Sequence, residues 1–417
     1  MKASRLSVAS MPSRPSLREV IAVSEFRALW FAHAQSRFGD QIARVAIALL
    51  VFERTESALL TAVTYALSLL PPLVSAPLLT GLADRFSRRN IMVVTDFSRA
   101  CLVAVMAIPG LPMAILALLL TAVVSLQPLY SAARNAVLPA VLDGDRYVVG
   151  LGLVTATDSA VQVLGFAGGG ALVGLIGSHA AVGLDAVTFL ISATLVATSL
   201  GRHTPTTPVA STTGRSLSAG VRLLCSDRRL RCLLGLSYLY GFYIAPEGLA
   251  VAYAADEGAP EAAVGLLMAA DPVGALLGSL VLTRWLPAHW RTRSLAPLAA
   301  VSAVPLVVSA LFPSIPTAVG LWALVGVLSS YTVLVTAIFV RLVPDAQRGQ
   351  VIGLASAGLQ AAQGLGVTAA GAVADATSPA AAVGIMGAAG GLLAVPIGVA
   401  WSRATARVRD DGTRDYG

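Results

Sequence analysis

Gly81-Leu82-Ala83-Asp84-Arg85-Phe86-Ser87-Arg88-Arg89 is a short, arginine-rich turn held between two long apolar runs. Charge this dense beside apolar runs this long belongs at a membrane surface, where basic residues stop a chain from crossing. Asp84 is an acid set among those bases, so anchoring alone does not explain the turn.

Composition extends this reading to the whole chain. Apolar residues make up 56% of 417, charged residues 12%, and the mean hydropathy is +0.78. A soluble protein of this size cannot cover its surface with so few charges. Apolar runs of roughly 20 residues, each long enough to cross a bilayer core, recur from end to end. The net charge is +7, and 28 of the 29 basic residues are arginine. They fall in short turns between apolar runs, so orientation in the lipid bilayer accounts for them and nucleic-acid binding does not. Cys101, Cys225 and Cys232 form no disulfide framework or metal spacing. The basic, polar stretch Met1 to Arg27 has no cleavable apolar core, so the first span is expected to serve as an uncleaved signal.

Twelve spans are predicted, at 28–53, 58–82, 90–109, 111–137, 147–176, 180–201, 230–255, 261–285, 294–312, 316–342, 349–374 and 379–402. This predicts an all-α membrane protein with two pseudo-symmetric six-helix bundles, 28–201 and 230–402. They are joined by a cytoplasmic linker at 202–229 and flanked by cytoplasmic segments 1–27 and 403–417. With the N-terminus inside, 25 of the 29 basic residues fall on the inner side and only Arg54 in an outer loop; Arg37, Arg44 and Arg99 lie within spans. That asymmetry predicts both termini in the cytoplasm and a multi-pass protein of the cytoplasmic (inner) membrane. The halves also echo each other. Leu138-Pro139, Arg146, Gly150, Gln162 and Gly165 are answered by Val343-Pro344, Arg348, Gly353, Gln363 and Gly366. Parallel repeats of this kind enclose one cavity suited to alternating access.

The turn at 81–89, with Ser87 in place of the usual glycine, resembles the signature between the second and third spans of the major facilitator superfamily. Further segments resemble a narrower branch of bacterial exporters, similar to macrolide-efflux and enterobactin-export proteins. They are Phe26-Arg27-Ala28-Leu29-Trp30, Phe38-Gly39-Asp40, Asp96-Phe97-Ser98-Arg99-Ala100, 133–139 (Ala-Arg-Asn-Ala-Val-Leu-Pro) and 343–349 (Val-Pro-Asp-Ala-Gln-Arg-Gly). Antiporter-type members carry a Gly-Pro pair in the fifth span; here Phe166 follows Gly165. The resemblance implies the major facilitator fold. It also implies a cytoplasmic gate made of Gly81, Asp84, Arg85, Arg88, Arg89 and Arg134, with Asp84 at the N-terminus of the eleventh helix in the outward-open state.

His33, Arg37, Asp40 and Arg44 recur at spacings of four, three and four, which puts them in one helical stripe. Facing lipid, the stripe would cost several kcal/mol, so it is expected to face the cavity or the partner bundle. Asp40 would bind a proton or a cationic group there, or else form a structural pair with Arg37 or Arg44. Glu247, beside the helix-bending Pro246 and near Tyr238, Tyr240 and Tyr243, is a second proton-coupling candidate, unless it reaches water at the outer face. Asp158, four residues before Gln162, and Asp271, before Pro272, are two more; local pairing is the plainer alternative for each. Asp96 and Arg99 read as a structural ion pair. His33, Arg37, Arg44, Gln162, Tyr238 and Tyr243 are candidates for the substrate cavity. Gln127, Tyr130, Trp322, Tyr331, Gln360 and Gln363 are pocket candidates or packing residues. Together they suit a weakly polar, amphipathic ligand better than a sugar. His179, His203 and His289 fall in loops.

Lys2 is the only lysine, so a phosphate-binding loop of the usual kind is excluded. There is no nucleophile elbow and no His/Cys cluster, so neither an enzyme nor a cofactor or metal is expected. The sequence therefore predicts a monomeric secondary transporter that exports a small molecule in exchange for protons. Proton-coupled import of a nutrient on the same fold is the alternative.

Overall fold

The computed structural model describes residues 16–79, 86–201, 213–344 and 347–414, with the main chain alone at 213–219, 288–289 and 406–414. The described residues contain helices and no strand. Twelve helical spans follow one another. The first six are Ser24–Thr55, Ala58–Leu79, Arg88–Met106, Met113–Val141, Asp145–Ile176 and Ser178–Ser199. After an amphipathic helix at Thr213–Ser226 come 228–256, Glu261–Trp285, Leu295–Leu311, Ile315–Leu342, Arg348–Ala376 and Pro379–Arg414. Thr213–Ser226 lies within the segment 202–229 predicted as the linker, and its apolar positions recur at helical spacing. The twelfth span also runs beyond its expected end at 402.

Several spans are broken, and proline explains most of the breaks. The second stops at Ala66 and resumes at Pro71, because Pro71 and Pro72 lack the N–H groups that would continue the ladder. The seventh breaks around Leu239 and Ile244, ahead of Pro246. This puts Glu247 in the first turn of a new helical piece. The tenth breaks at Ser330, whose hydroxyl donates to the Ala275 and Gly326 carbonyls at 3.0 Å each.

The face where the first span begins and the twelfth ends is called here the terminal face, and the opposite one the distal face. The distal face is closed. Gly170 on the fifth span and Gly265 on the eighth meet backbone to backbone; a Cβ on Gly170 would lie 2.6 Å from the Gly265 nitrogen. Gly371 on the eleventh span packs onto Leu59 and Ala58 of the second in the same manner. Only glycine allows helices this close. Next to that contact, the Asp375 carboxylate accepts from the Ser57 hydroxyl and the Ala58 N–H, both at 2.7 Å, and from the Leu59 N–H at 3.2 Å. It thereby satisfies the otherwise open first-turn donors of the second span and sits at the positive end of its dipole.

Glycine contacts within one set of six should behave differently from those between sets. Gly326 of the tenth span lies against the Asp271 carbonyl of the eighth, a contact within the second six spans. We expect Gly326→Val to overpack the protein by about 1–3 kcal/mol and to lower its melting midpoint. Gly170→Val should mainly disfavour distal closure. An unchanged midpoint for Gly326→Val would show that the close contact does not constrain the fold.

Candidate functional site

The first span passes through the middle of the first six and carries its charged stripe along one wall. Arg37, Asp40 and Arg44 line a cavity together with Thr64, Tyr65 and Ser68 of the second span, Arg99 of the third, Gln127 of the fourth and Asp185 of the sixth. An adjoining cavity toward the terminal face is lined by His33, Arg37, Asp40, Arg99, Tyr130, Arg134 and Asp158. One helix can serve both because its charged positions recur every three or four residues, over a rise of about 16 Å.

Asp40 is held by two guanidinium groups. Arg99 Nη2 donates to Oδ1 at 3.0 Å, and Arg37 Nη1 to Oδ2 at 3.4 Å. Arg44 takes no part: its guanidinium carbon lies 5.7 Å from the Tyr65 ring centre and 5.8 Å from that of Phe166. The partner of Asp40 thus comes from the third span as well as from its own stripe. Arg99 Nη1 is also 3.9 Å from Asp96 Oδ1, so the expected ion pair is present as a long contact. Asp96 is completed by the Ser192 hydroxyl, which donates at 2.5 Å. The Arg99 guanidinium stacks on Phe189, 4.0 Å from its centre. Asp185, buried on the sixth span, accepts from the Thr188 hydroxyl at 3.0 Å. Sequence reasoning missed Asp185. The available signal was Asp185, Thr188 and Ser192 at spacings of three and four, which form a polar stripe in an apolar span.

Toward the terminal face, His33 Nε2 lies 2.7 Å from Asp158 Oδ1 and 2.6 Å from Arg134 Nη1. Asp158 therefore meets Arg134 through the His33 imidazole, whose Nε2 can donate to Asp158 or accept from Arg134 but not both at once. Arg88 and Arg89, placed in the gate by resemblance, donate to the Ala136 and Ala197 carbonyls of the fourth and sixth spans, within the first six. Gly81, Asp84 and Arg85 lie outside the described residues, as does His203.

The second six contribute a separate pair of acids. Glu247 is buried and accepts a hydrogen bond from the Tyr65 hydroxyl, across the boundary between the two sets. It does not reach water at the distal face in this conformation. The Tyr240 hydroxyl donates to Asp271 Oδ2 at 2.6 Å. Several pocket candidates prove to be packing residues. Tyr243 donates to the Ala299 carbonyl at 2.5 Å and Tyr331 to the Leu236 carbonyl at 2.9 Å, both fully buried. Trp322 is buried against Tyr253, edge to face at 5.2 Å. Each is enclosed with its polar tip on a group of an adjacent helix: the two tyrosines on backbone carbonyls, and the Trp322 indole N–H on the Ser309 hydroxyl at 3.4 Å. Tyr238 rests on Gly358, and Gln162, Gln360 and Gln363 are half-buried on the fifth and eleventh spans. Among the described residues no His/Cys/Asp/Glu group could hold a metal ion.

Comparison with known proteins agrees with this architecture. The fold is similar to that of a nucleoside transporter, NupG (14% identity, TM-score 0.72, covering 90% of this chain and 99% of the other). It is also similar to a peptide transporter, POT, in complex with sulfate (15%, 0.69, 91% and 95%). A third match is a bacterial homologue of the human lysosomal transporter Spinster in an inward-facing, occupied conformation (12%, 0.69, 91% and 96%). No curated protein matches the sequence. The profile of the Major Facilitator Superfamily matches residues 29–259, the first seven spans, and again 248–415, from the end of the seventh span through the twelfth, and the chain belongs to that superfamily of membrane transporters.

Proposed function

We propose that this transporter exports a small amphipathic compound across the cytoplasmic membrane in exchange for protons, as a monomer with both termini in the cytoplasm. The observation that carries the reading is Asp40: a carboxylate inside the cavity, held by Arg99 and Arg37 and reachable from the terminal face. A proton arriving on Asp40 cancels the charge that both guanidinium groups answer. Arg99 then turns toward Asp96 and Asp185, and the first span is freed from the third. Such coupling requires the proton to bind the two conformations unequally, and a membrane potential contributes about 2.3 kcal/mol per charge per 100 mV.

The basic residues of the terminal face support the orientation, and the segments similar to efflux proteins support the direction. The bundles are taken as 28–201 and 230–402, with 202–229 as the link. The turn at 81–89 serves as the latch of the opposite state: Asp84 meets the N-terminus of the eleventh helix when the terminal face closes, with Arg134 in reach.

The test is transport in everted membrane vesicles with a panel of antibiotics, dyes and siderophores. Asp40→Asn should abolish accumulation driven by a pH gradient while the protein still inserts and folds. Undiminished pH-driven accumulation in that variant removes Asp40 from the coupling. Substrate depletion from the vesicles on energisation, in place of accumulation, reverses the direction to import.

A further inference from the structure

Among the described residues, one guanidinium group on the cavity wall, that of Arg44, has no carboxylate at ion-pairing distance. Its guanidinium lies against the faces of Tyr65 and Phe166, and the acids that line the same cavity, Asp40 and Asp185, stand beyond ion-pairing distance. Glu247, beyond Tyr65, already has a donor in the Tyr65 hydroxyl. Arg134 Nη1 lies 2.6 Å from the His33 nitrogen that Asp158 approaches at 2.7 Å, so Asp158 stands beside it, and Arg134 Nη2 donates to the Asn135 side-chain oxygen at 3.3 Å. Arg37 has only Asp40, which is bound more closely by Arg99.

Arg44 is half-buried on the cavity wall, so its guanidinium has lost part of its hydration, and an anion that enters offsets that loss. Its planar fork of donors matches a carboxylate, sulfonate or phosphate two bonds at a time. The wall of the cavity beside Arg44 is apolar, formed by Val103, Met106, Leu120, Val123 and Val124. A cation would have to take Asp40 from two guanidinium groups.

The geometry points to an organic anion as the bound species, its acid group on Arg44 and its apolar body against the third and fourth spans. Arg134 and Arg37 are earlier stations on the same path. Arg37 precedes Arg44 by seven residues, about 10 Å toward the terminal face. This rests on the cavity being the transport site, but not on the direction or the coupling ion.

The purified full chain in detergent is titrated by calorimetry with three probes that share one ring system: 2-naphthoate, 2-naphthalenemethanol and 2-naphthylmethylammonium. Naphthoate should bind about tenfold or more tightly than the alcohol, the lower end for a charge-assisted hydrogen bond. Arg44→Gln should bring naphthoate down to the alcohol's affinity and leave the alcohol unchanged, while Arg44→Lys keeps part of the preference. If Arg44→Gln does not fold, Arg37→Gln is read in its place and should weaken naphthoate alone. No naphthoate binding, equal affinities, tighter binding of the ammonium, or a folded Arg44→Gln that keeps the preference would each overturn the assignment. A protein that selects naphthoate yet shows no pH-driven efflux would sink the exporter reading and leave this one standing.

Discussion

Arg99→Leu is expected to destabilise the protein by about 3–5 kcal/mol, the range for removing one member of a buried charge pair. Arg99 is 5% exposed and stands between Asp40 at 3.0 Å and Asp96 at 3.9 Å, with Phe189 beneath it. Asp185 lines the same cavity. No other arginine can take its place: Arg37 reaches only the far oxygen of Asp40, and Arg44 faces two aromatic rings. Without Arg99, three acids converge from the first, third and sixth spans with one weak cation among them. The loss should appear as a lower melting midpoint and as aggregation on size exclusion. The double variant Asp40→Asn with Arg99→Gln removes one charge of each sign and should recover part of the midpoint without recovering pH-driven transport. An Arg99→Leu protein with an unaltered midpoint would show that the cluster is solvated and of little structural weight.

Tyr65→Phe should move the conformational equilibrium about ten- to a hundredfold toward the distally open state. The lost bond runs from a hydroxyl to a buried carboxyl group, worth about 1.5–3 kcal/mol if Glu247 is ionised. It exists only while the two sets of spans meet, so its removal penalises the closed state and leaves the fold of each set intact. Spin labels at Ile108 and Leu311, exposed positions near the distal ends of the third and ninth spans, report the change as a longer distance in pulsed dipolar spectroscopy. Asp375→Asn weakens the second fastening of the same face and should add to the shift. A distance distribution that matches the parent in both variants would mean that the glycine contacts alone hold the face shut.

The fold could be read from the sequence because it is set by quantities that each segment carries by itself. Apolar length gave the spans, arginine-bearing turns gave their alternation, and the two echoing halves gave the pseudo-symmetry. Pro246 announced a bend, and the seventh span is broken next to it. The stripe from His33 to Arg44 announced a charged wall, because spacing alone puts those residues on one face. What could not be read was which group each side chain meets, since the answer comes from other spans. Asp40 has two arginines on its own helix, yet its shortest bond goes to Arg99. Glu247 has tyrosines close by in the chain, yet its donor is Tyr65, 182 residues away. Tyr243 and Tyr331 look like pocket residues until helix packing gives their hydroxyl groups to backbone carbonyls. Asp375 went unmarked in the sequence because nothing in the eleventh span shows that the second begins beside it.

The glycine contact between the fifth and eighth spans acts as a fulcrum. Gly170 is 25 residues from the start of the fifth span at Asp145, a lever arm of about 38 Å. A tilt of about 10° around that point swings the terminal end by roughly 6–7 Å, while atoms beside the fulcrum barely move. A small tilt of this kind changes the width of the mouth at one face while the glycine contact keeps the other face sealed. A carrier that leaks at neither extreme of that swing dissipates no gradient while it waits for its cargo.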